Sequence, residues 1–378
     1  MAMEIDSGVW SERIKVENTM GKHVLKIAIS GIGNRALPKN IKDTSWLGWV
    51  EQIKQHDGFT LVGVHDISTD SLSRIVNSGY LHQSCLYTDF DQMLRDVSCD
   101  ALLVCNPAQY HGVTIKKAIE RGLNLLVEKP FVSDIEEGKE IIDTIEKYGS
   151  VVCIIQNWRY KDVGRILHKI IQDGMLGKVG HIFFRYMRDR ENPKYPEYIF
   201  EENYPLLYAM GIHHLDLFRY ILNDDFKVVS GHAFKPHWSL YKSMTGVNLF
   251  IEMKTGAHIN YVGTISARNM VLHQESFVIE GEQGTVFNES QWLEPPLLFS
   301  KHGSKDVSNL TKDIGESSIR EQYNKSDEFI LNNFYNSIMK KEKPLCNALD
   351  GLKSVATIEA CKMACEQGKS IFVDNLLI

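Results

Sequence analysis

Apolar and polar positions divide this chain into two unlike halves. In the first, short continuous apolar runs at Val24 to Ser30, Phe59 to His65, Asp100 to Cys105 and Leu123 to Val127 alternate with stretches whose apolar positions recur at helical spacing. Unbroken runs of this kind suit a parallel sheet covered on both faces, and strand followed by helix is the rhythm of βαβ units. Gly112 to Arg121 and Ile135 to Tyr148 read as helices, the second ended by Gly149, and Val151 to Ile155 as a further strand. Before Phe59, Pro38 and the polar run 39–45 look like an inserted loop, with Ser45 capping a helix through Trp46, Val50 and Ile53.

Beyond residue 155 the pattern changes. Gln156 to Tyr160 opens a helix toward Asp173, and longer β-prone stretches follow at His181 to Met187, Lys227 to Phe234, Gly246 to Met253, His258 to Thr264 and Ser276 to Glu280. Several alternate polar with apolar, which predicts a mainly antiparallel sheet with one open face. With 378 residues the chain exceeds the size one core normally serves. The expected organisation is an N-terminal arm over 1–24, a doubly wound Rossmann-type parallel α/β domain over 25–150, and an α+β domain over 151–378 that binds substrate and makes oligomer contacts.

Composition narrows the partners. Hydrophobic residues at 43%, charged residues at 24% and a formal charge of -6 suit a globular protein and give no electrostatic reason to expect nucleic acid or an anionic membrane surface. Met1 to Lys22 is mixed and polar, without the apolar core of a secretory signal, so the cytoplasm is the expected location. The seven cysteines are odd in number and irregularly spaced, which fits free thiols in a reducing compartment. Cys361 and Cys365 lie one helical turn apart with no second pair near them, so packing is favoured over metal binding, and no metal is expected.

Candidate chemistry sits at the ends of the strands. Gly31-Ile32-Gly33-Asn34-Arg35-Ala36 follows the first strand as a G-x-G-x-x-A turn, in which Gly31 permits the tight turn and Gly33 lets the backbone approach a pyrophosphate. The next strand ends in Asp66, an acceptor for both ribose hydroxyls that repels a 2′-phosphate, so NAD is expected ahead of NADP. Asp66 follows Gly33 by 33 residues, where about 20 is usual; the run 37–45 accounts for the excess. Ligands in such sheets bind outside the carboxyl ends of the strands, where Gly31, Asp66, Asn106-Pro107 with His111, and Glu128-Lys129-Pro130 converge. In the second half, Tyr208 to Tyr220 reads as a helix with Ala209, His213 and Asp216 near one face, either a functional face or a core helix with two satisfied histidines.

Taken together, Gly31-Ile32-Gly33, Val64-His65-Asp66, Asn106-Pro107 with His111, Glu128-Lys129-Pro130, Asn157-Trp158-Arg159-Tyr160, Gly211-Ile212-His213 with Asp216, Glu280 to Thr285 and Asp350 to Ser354 resemble the glucose-fructose oxidoreductase, inositol dehydrogenase and rhizopine catabolism family of NAD(P)-dependent enzymes, from Leu25 to about Leu377. The resemblance implies a hydride transfer between nicotinamide and a carbinol carbon of a sugar, amino sugar, sugar nucleotide or cyclitol. It implies Lys129 and His213 as catalytic residues, Lys129 against the developing alkoxide and His213 as general acid or base. Cofactor contacts are expected from Gly31, Gly33, Asn34, Arg35, Asp66, Asn106, Pro107, His111, Glu128 and Lys129. Substrate contacts are expected from Lys129, Arg159, Tyr160, Tyr208, His213 and His214. The chain departs from the family at Ala209, where many members carry an aspartate. Tyr208, His214 or Tyr160 then substitutes, or the fold serves another end: transient oxidation in a glycosidase or lyase, or a dinucleotide sensor without turnover. A homodimer or homotetramer through the second sheet is expected, because an open apolar β face would otherwise meet water.

Overall fold

The computed structural model describes residues 23–39, 46–195, 197–268, 274–290, 293–312 and 319–378; residues 1–22 of the N-terminal arm and 40–45 of the inserted run lie outside them. Six strands form the first sheet: β1 (Leu25–Ser30), β2 (Phe59–His65), β3 (Leu86–Tyr87), β4 (Ala101–Val104), β5 (Asn124–Glu128) and β6 (Val152–Ile155). All pair in parallel, in the order β3-β2-β1-β4-β5-β6. The order reverses between β1 and β4, so a crevice opens at the carboxyl ends of those two strands. Ile27, Ile29, Leu102, Leu103, Leu125 and Leu126 have no exposed surface, as strands covered on both faces require.

Helices α1 (Trp49–Gln55), α2 (Thr69–Asn77), α3 (Phe90–Asp96), α4 (His111–Glu120) and α5 (Ile135–Tyr148) connect these strands. Asp134 caps α5 by accepting the Glu137 N–H at 2.8 Å, and Gly149 ends it in the left-handed conformation. The helix expected from Ser45 instead begins at Trp49, with Gly48 at its N-cap and no side-chain cap. Its start follows from the backbone: Trp49 N and Val50 N donate to the carbonyls of Arg35 and Ala36, which seats α1 on the end of the glycine turn.

The second half contains α6 (Asp162–Gln172), β7 (Val179–Met187), α7 (Ile212–Leu222), β8 (Phe226–Phe234), β9 (Gly246–Met253), β10 (His258–Thr264), β11 (Glu275–Gly281), β12 (Gly284–Ser290), β13 (Leu298–Lys301), β14 (Ser308–Asn309), α8 (Ile319–Met339), α9 (Ala348–Gln367) and β15 (Ile371–Phe372). Its nine strands run in the order β14-β13-β12-β11-β7-β10-β9-β8-β15, antiparallel except where β7 and β10 pair in parallel. One face packs on α6 and α7 through Ile182, Phe184, Leu249, Ile251 and Tyr261.

The two halves are not separated cleanly at residue 150. β6 pairs with β5 and so belongs to the first sheet. Ile330, Leu331 and Phe334 of α8 return to the core around β1 and Trp49, while α9 sends Leu352 and Val355 to Val127 and Ile154 and sends Ile358, Ala360 and Ala364 to the second core. One helix thus packs on both halves.

Candidate active site

The glycine turn is shaped by what each side chain would meet. Gly31 has φ +97°, and a Cβ there would lie 2.4 Å from the backbone N of Asn106, so only glycine fits between β1 and β4. A Cβ on Gly33 would meet nothing within 4 Å; its backbone borders open space, as approach by a pyrophosphate requires. Asp66 closes the turn from β2, accepting the Ile32 N–H at 2.6 Å and the Ser68 N–H at 2.8 Å. Asn106 gives its amide N–H to Thr114 at 2.8 Å, and its Oδ1 is buried with no hydrogen-bond partner among the described residues, an acceptor of the kind a ribose hydroxyl satisfies. These features fit a dinucleotide.

Other expected cofactor residues hold the walls of this crevice. Arg35 pairs with Asp327 of α8 at 2.5 Å and with Glu128 at 3.2 Å, and its guanidinium lies over the Trp49 ring, 4.6 Å from the centroid. Although burial opposes its charge, Asp327 and Glu128 more than compensate and keep it cationic. Glu128 also accepts the Trp49 indole N–H at 2.8 Å. It faces the glycine turn rather than the ammonium of its neighbour. Asn34 accepts the Lys39 N–H through Oδ1 at 3.3 Å and the Trp46 indole N–H through its carbonyl at 3.2 Å. Pro107 caps the short helix Ala108–Tyr110. His111 is 1% exposed, with ring nitrogens 2.8 Å from the Pro130 carbonyl and 2.9 Å from the Asn106 carbonyl. It fastens the loops after β4 and β5 together and is turned away from open space.

Lys129 leaves the end of β5, its bond to Pro130 being cis. Its ammonium donates to the Ala209 carbonyl at 3.0 Å and approaches the Tyr208 carbonyl at 3.5 Å. Both acceptors belong to Leu207–Gly211, one turn of π-helix preceding α7. A π-turn leaves carbonyls off the regular i to i+4 ladder and thus open to another donor. Where the family often has an aspartate side chain, this chain offers the backbone oxygen of the same residue. Burial brings the Lys129 ammonium down to about 8, against the pull of Glu128 and with the help of Arg190.

His213 sits on the first turn of α7 and is 9% exposed. Nδ1 lies 2.8 Å from Oε1 of Gln156, and the Trp158 ring stacks nearly parallel to the imidazole, 6.3 Å between centroids. Burial, then Lys129, His214, Lys161 and Arg35 hold the imidazole well below its ordinary range. At neutral pH it is an uncharged base. The arrangement joins a half-buried lysine and a neutral imidazole on facing elements, beside a crevice that suits a dinucleotide.

Four expected substrate contacts have other work. Arg159 is 3% exposed and gives two hydrogen bonds to Asp216, both at 2.7 Å, and a third to the Leu345 carbonyl at 2.6 Å, so it crosslinks the loop after β6 to α7 instead of facing the crevice. Tyr160 is buried with its hydroxyl on Asn333 at 2.9 Å. His214 has no exposed surface; its Nδ1 meets the Tyr261 hydroxyl at 2.8 Å amid Trp158, Phe184 and Tyr186. The Tyr208 hydroxyl is held by Glu359, leaving only its carbonyl toward Lys129. Histidine spacing on a helix could not separate His213 from His214, because both faces are buried.

Several residues escaped the sequence reading. Asp327, Trp49 and Gln156 buttress Arg35, Glu128 and His213, and Lys161 lies over the rings of Trp158 and Tyr323 at 5.3 and 5.0 Å. Burial lowers Lys161 to about 8 against the pull of Glu275 and Glu294. No local pattern marks these positions, since each acts on a residue distant in sequence.

A doubly wound sheet with a glycine turn and an acidic second strand, joined to an open-faced sheet whose helix α7 carries a buried histidine, defines an oxidoreductase of the NAD-binding Rossmann class. The chain belongs to the glucose-fructose oxidoreductase, inositol dehydrogenase and rhizopine catabolism family: the model for "Oxidoreductase family, NAD-binding Rossmann fold" matches residues 45–156 and that for the family's C-terminal alpha/beta domain matches 168–373. It is 28% identical to the scyllo-inositol 2-dehydrogenase (NAD(+)) of Bacillus subtilis over 56% of this chain and 62% of that one. It is 20% identical to the myo-inositol 2-dehydrogenase of Thermotoga maritima over 86% and 95%. Among solved structures, an oxidoreductase from Agrobacterium radiobacter in complex with NAD+, L-tartaric acid and magnesium has the same fold, with a TM-score of 0.78, 17% identity, and coverage of 93% of this chain and 99% of that one.

Among the described residues no helix is long and apolar enough to cross a membrane.

Proposed function

We propose that this protein is an NAD-dependent dehydrogenase that oxidises a secondary alcohol of a sugar-like or cyclitol substrate, or reduces the matching ketone. One observation carries the reading: Lys129, from the nucleotide-binding half, reaches the Ala209 carbonyl at 3.0 Å, four residues before His213 on the other half. Gly31, Gly33, Asp66 and Asn106 would hold the cofactor, and Asp66 favours NAD, because a 2′-phosphate would meet its carboxylate. A nicotinamide bound there supplies the hydride acceptor.

The protein's own part concerns the proton and the charge. His213, uncharged at neutral pH, takes the hydroxyl proton as negative charge develops on the substrate oxygen. The Lys129 ammonium stabilises that oxygen. Its anchor on two carbonyls fixes its direction before substrate arrives. Removal of the hydroxyl proton and of one hydride from carbon leaves the ketone, so atoms and charge balance. The inositol dehydrogenases similar to this chain support the substrate class.

The outer face of the second sheet brings Phe183 and Phe250 to either side of Asn260, with Val262 two residues along, each hydrophobic side chain being 46–49% exposed. This face would pair with a second copy of the chain. Sedimentation of the wild type and of Phe250→Glu tests that contact, and a monomer in both would refute it.

NADH formation with a panel of polyols, sugars and sugar nucleotides, alongside calorimetry of NAD binding, tests the main reading. Turnover of one class, lost in Lys129→Ala and His213→Ala with NAD affinity retained, is expected. No NAD binding, or turnover that survives both substitutions, refutes it.

A further inference from the structure

The groups that bear most strongly on the imidazole of His213 are all basic: Lys129 from the end of β5, His214 beside it on α7, Lys161 ahead of α6 and Arg35 from the glycine turn. Among the described residues, the ring-stacking and hydrogen-bond contacts of the imidazole are uncharged. Trp158 lies parallel to it at 10°, and Oε1 of Gln156 stands 2.8 Å from Nδ1. Gln156 is itself 1% exposed and immediately follows β6; its N–H donates to the Ile154 carbonyl at 3.0 Å and its carbonyl accepts the Arg159 N–H at 3.1 Å. Backbone bonds on both sides and burial of the side chain leave the amide little freedom.

We propose that Gln156 is the positioning residue of the site: its Oε1 accepts the Nδ1 proton of His213, which leaves Nε2 as the unprotonated atom that receives the substrate proton. The proposal rests on His213 being the proton acceptor. In a neutral imidazole only one nitrogen carries hydrogen, and the hydrogen bond at one nitrogen decides the state of the other. Neutrality at position 156 matters as much as the bond. A carboxylate there would attract the proton and convert the ring to imidazolium, which has no lone pair to offer. A hydrocarbon would leave the Nδ1 proton buried without an acceptor, and the ring would lose its reason to prefer that tautomer. The amide orients the ring without opposing Lys129, Lys161 and Arg35, whose charges help keep it an uncharged base.

Nitrogen NMR of the full-length protein labelled at histidine, with His213 assigned by its loss in His213→Gln, reads the tautomer without any substrate. In the wild type the proton belongs on Nδ1 and the ring takes up a second proton only well below the ordinary histidine range. Gln156→Met should move the proton wholly or partly to Nε2, and Gln156→Glu should move the titration midpoint upward. With the polyol or sugar found to be turned over, kcat at pH 7 should fall roughly 10–100-fold in both, with KM little changed. Only Gln156→Glu should recover as the pH is raised. A tautomer and midpoint unchanged in the variants that fold overturn the positioning role and leave the functional reading standing. A tautomer that moves while kcat does not overturns His213 as the acceptor, and the proposal with it.

Discussion

The ammonium of Lys129 and the carbonyl of Ala209, 80 positions apart, are joined by a 3.0 Å hydrogen bond that ties the end of β5 to the π-turn before α7. A backbone acceptor cannot be protonated or rotated away, so the lysine has a fixed bearing even though the residue at 209 carries only a methyl group.

Replacing Lys129 should therefore remove charge stabilisation without emptying the cofactor site. Lys129→Met is expected to lower kcat about 10²–10³-fold, with NAD affinity changed little in a fluorescence titration. Because the lysine titrates at about 8, kcat/KM for alcohol oxidation should decline above that pH in the wild type. In Lys129→Arg, whose charge persists through the range, the residual activity should show no such decline.

Acid should destabilise the fold partly through His213. The unfolded chain binds a proton at this histidine near pH 6.5, while burial keeps the folded chain from doing so. Stability is then fully present above about pH 6.5 and is lost as the pH falls below it toward the depressed folded value. Urea unfolding at pH 7.5 and pH 5 should show a smaller loss in His213→Gln than in the wild type; equal losses would contradict the buried neutral state.

The two glycines of the turn should respond differently. Gly31→Ala places a Cβ against Asn106 at a positive φ and should cost about 1–3 kcal/mol of stability, visible as a lower melting temperature. Gly33→Val points into open space and should melt near the wild type while its NAD affinity falls at least about tenfold, a loss of about 1.4 kcal/mol.

Asp66 should set the choice of dinucleotide. Asp66→Ser removes the carboxylate, and the ratio of NAD to NADP affinity should fall by about an order of magnitude or more as repulsion of the 2′-phosphate is lost. Parallel titrations with both cofactors measure it.

Arg159 provides a test of structural against substrate-contacting roles. Removing the guanidinium strands the buried Asp216, so Arg159→Met should lose about 3–5 kcal/mol in denaturant unfolding. An unchanged midpoint with a raised KM would instead return Arg159 to the substrate.

Much of the architecture was legible because its signals are local. Gly31 and Gly33 stand beside the strand they terminate, and the apolar runs of β1, β2, β4 and β5 are unbroken, so periodicity and turn chemistry suffice. β9 and β10 were bounded correctly because their alternation records one buried and one open face. The start of α1 is not legible near Ser45 because backbone bonds to Arg35 and Ala36, not a capping side chain, decide where the helix begins. Strands β12 to β14 and helix α8 lacked a pattern strong enough to announce them.

The sequence by itself determined the two-part fold, the glycine turn and the acidic end of β2 through local pattern, and the family resemblance made Lys129 and His213 candidates. Only the tertiary structure decided which buried polar groups face one another: Lys129 on the Ala209 carbonyl, Gln156 on His213, Arg159 on Asp216. Those pairings span 57 to 80 positions; the first joins the two halves, and the other two join the segment after β6 to α7. A buried donor must find whichever acceptor the fold brings to it, and nothing local to either partner names the other.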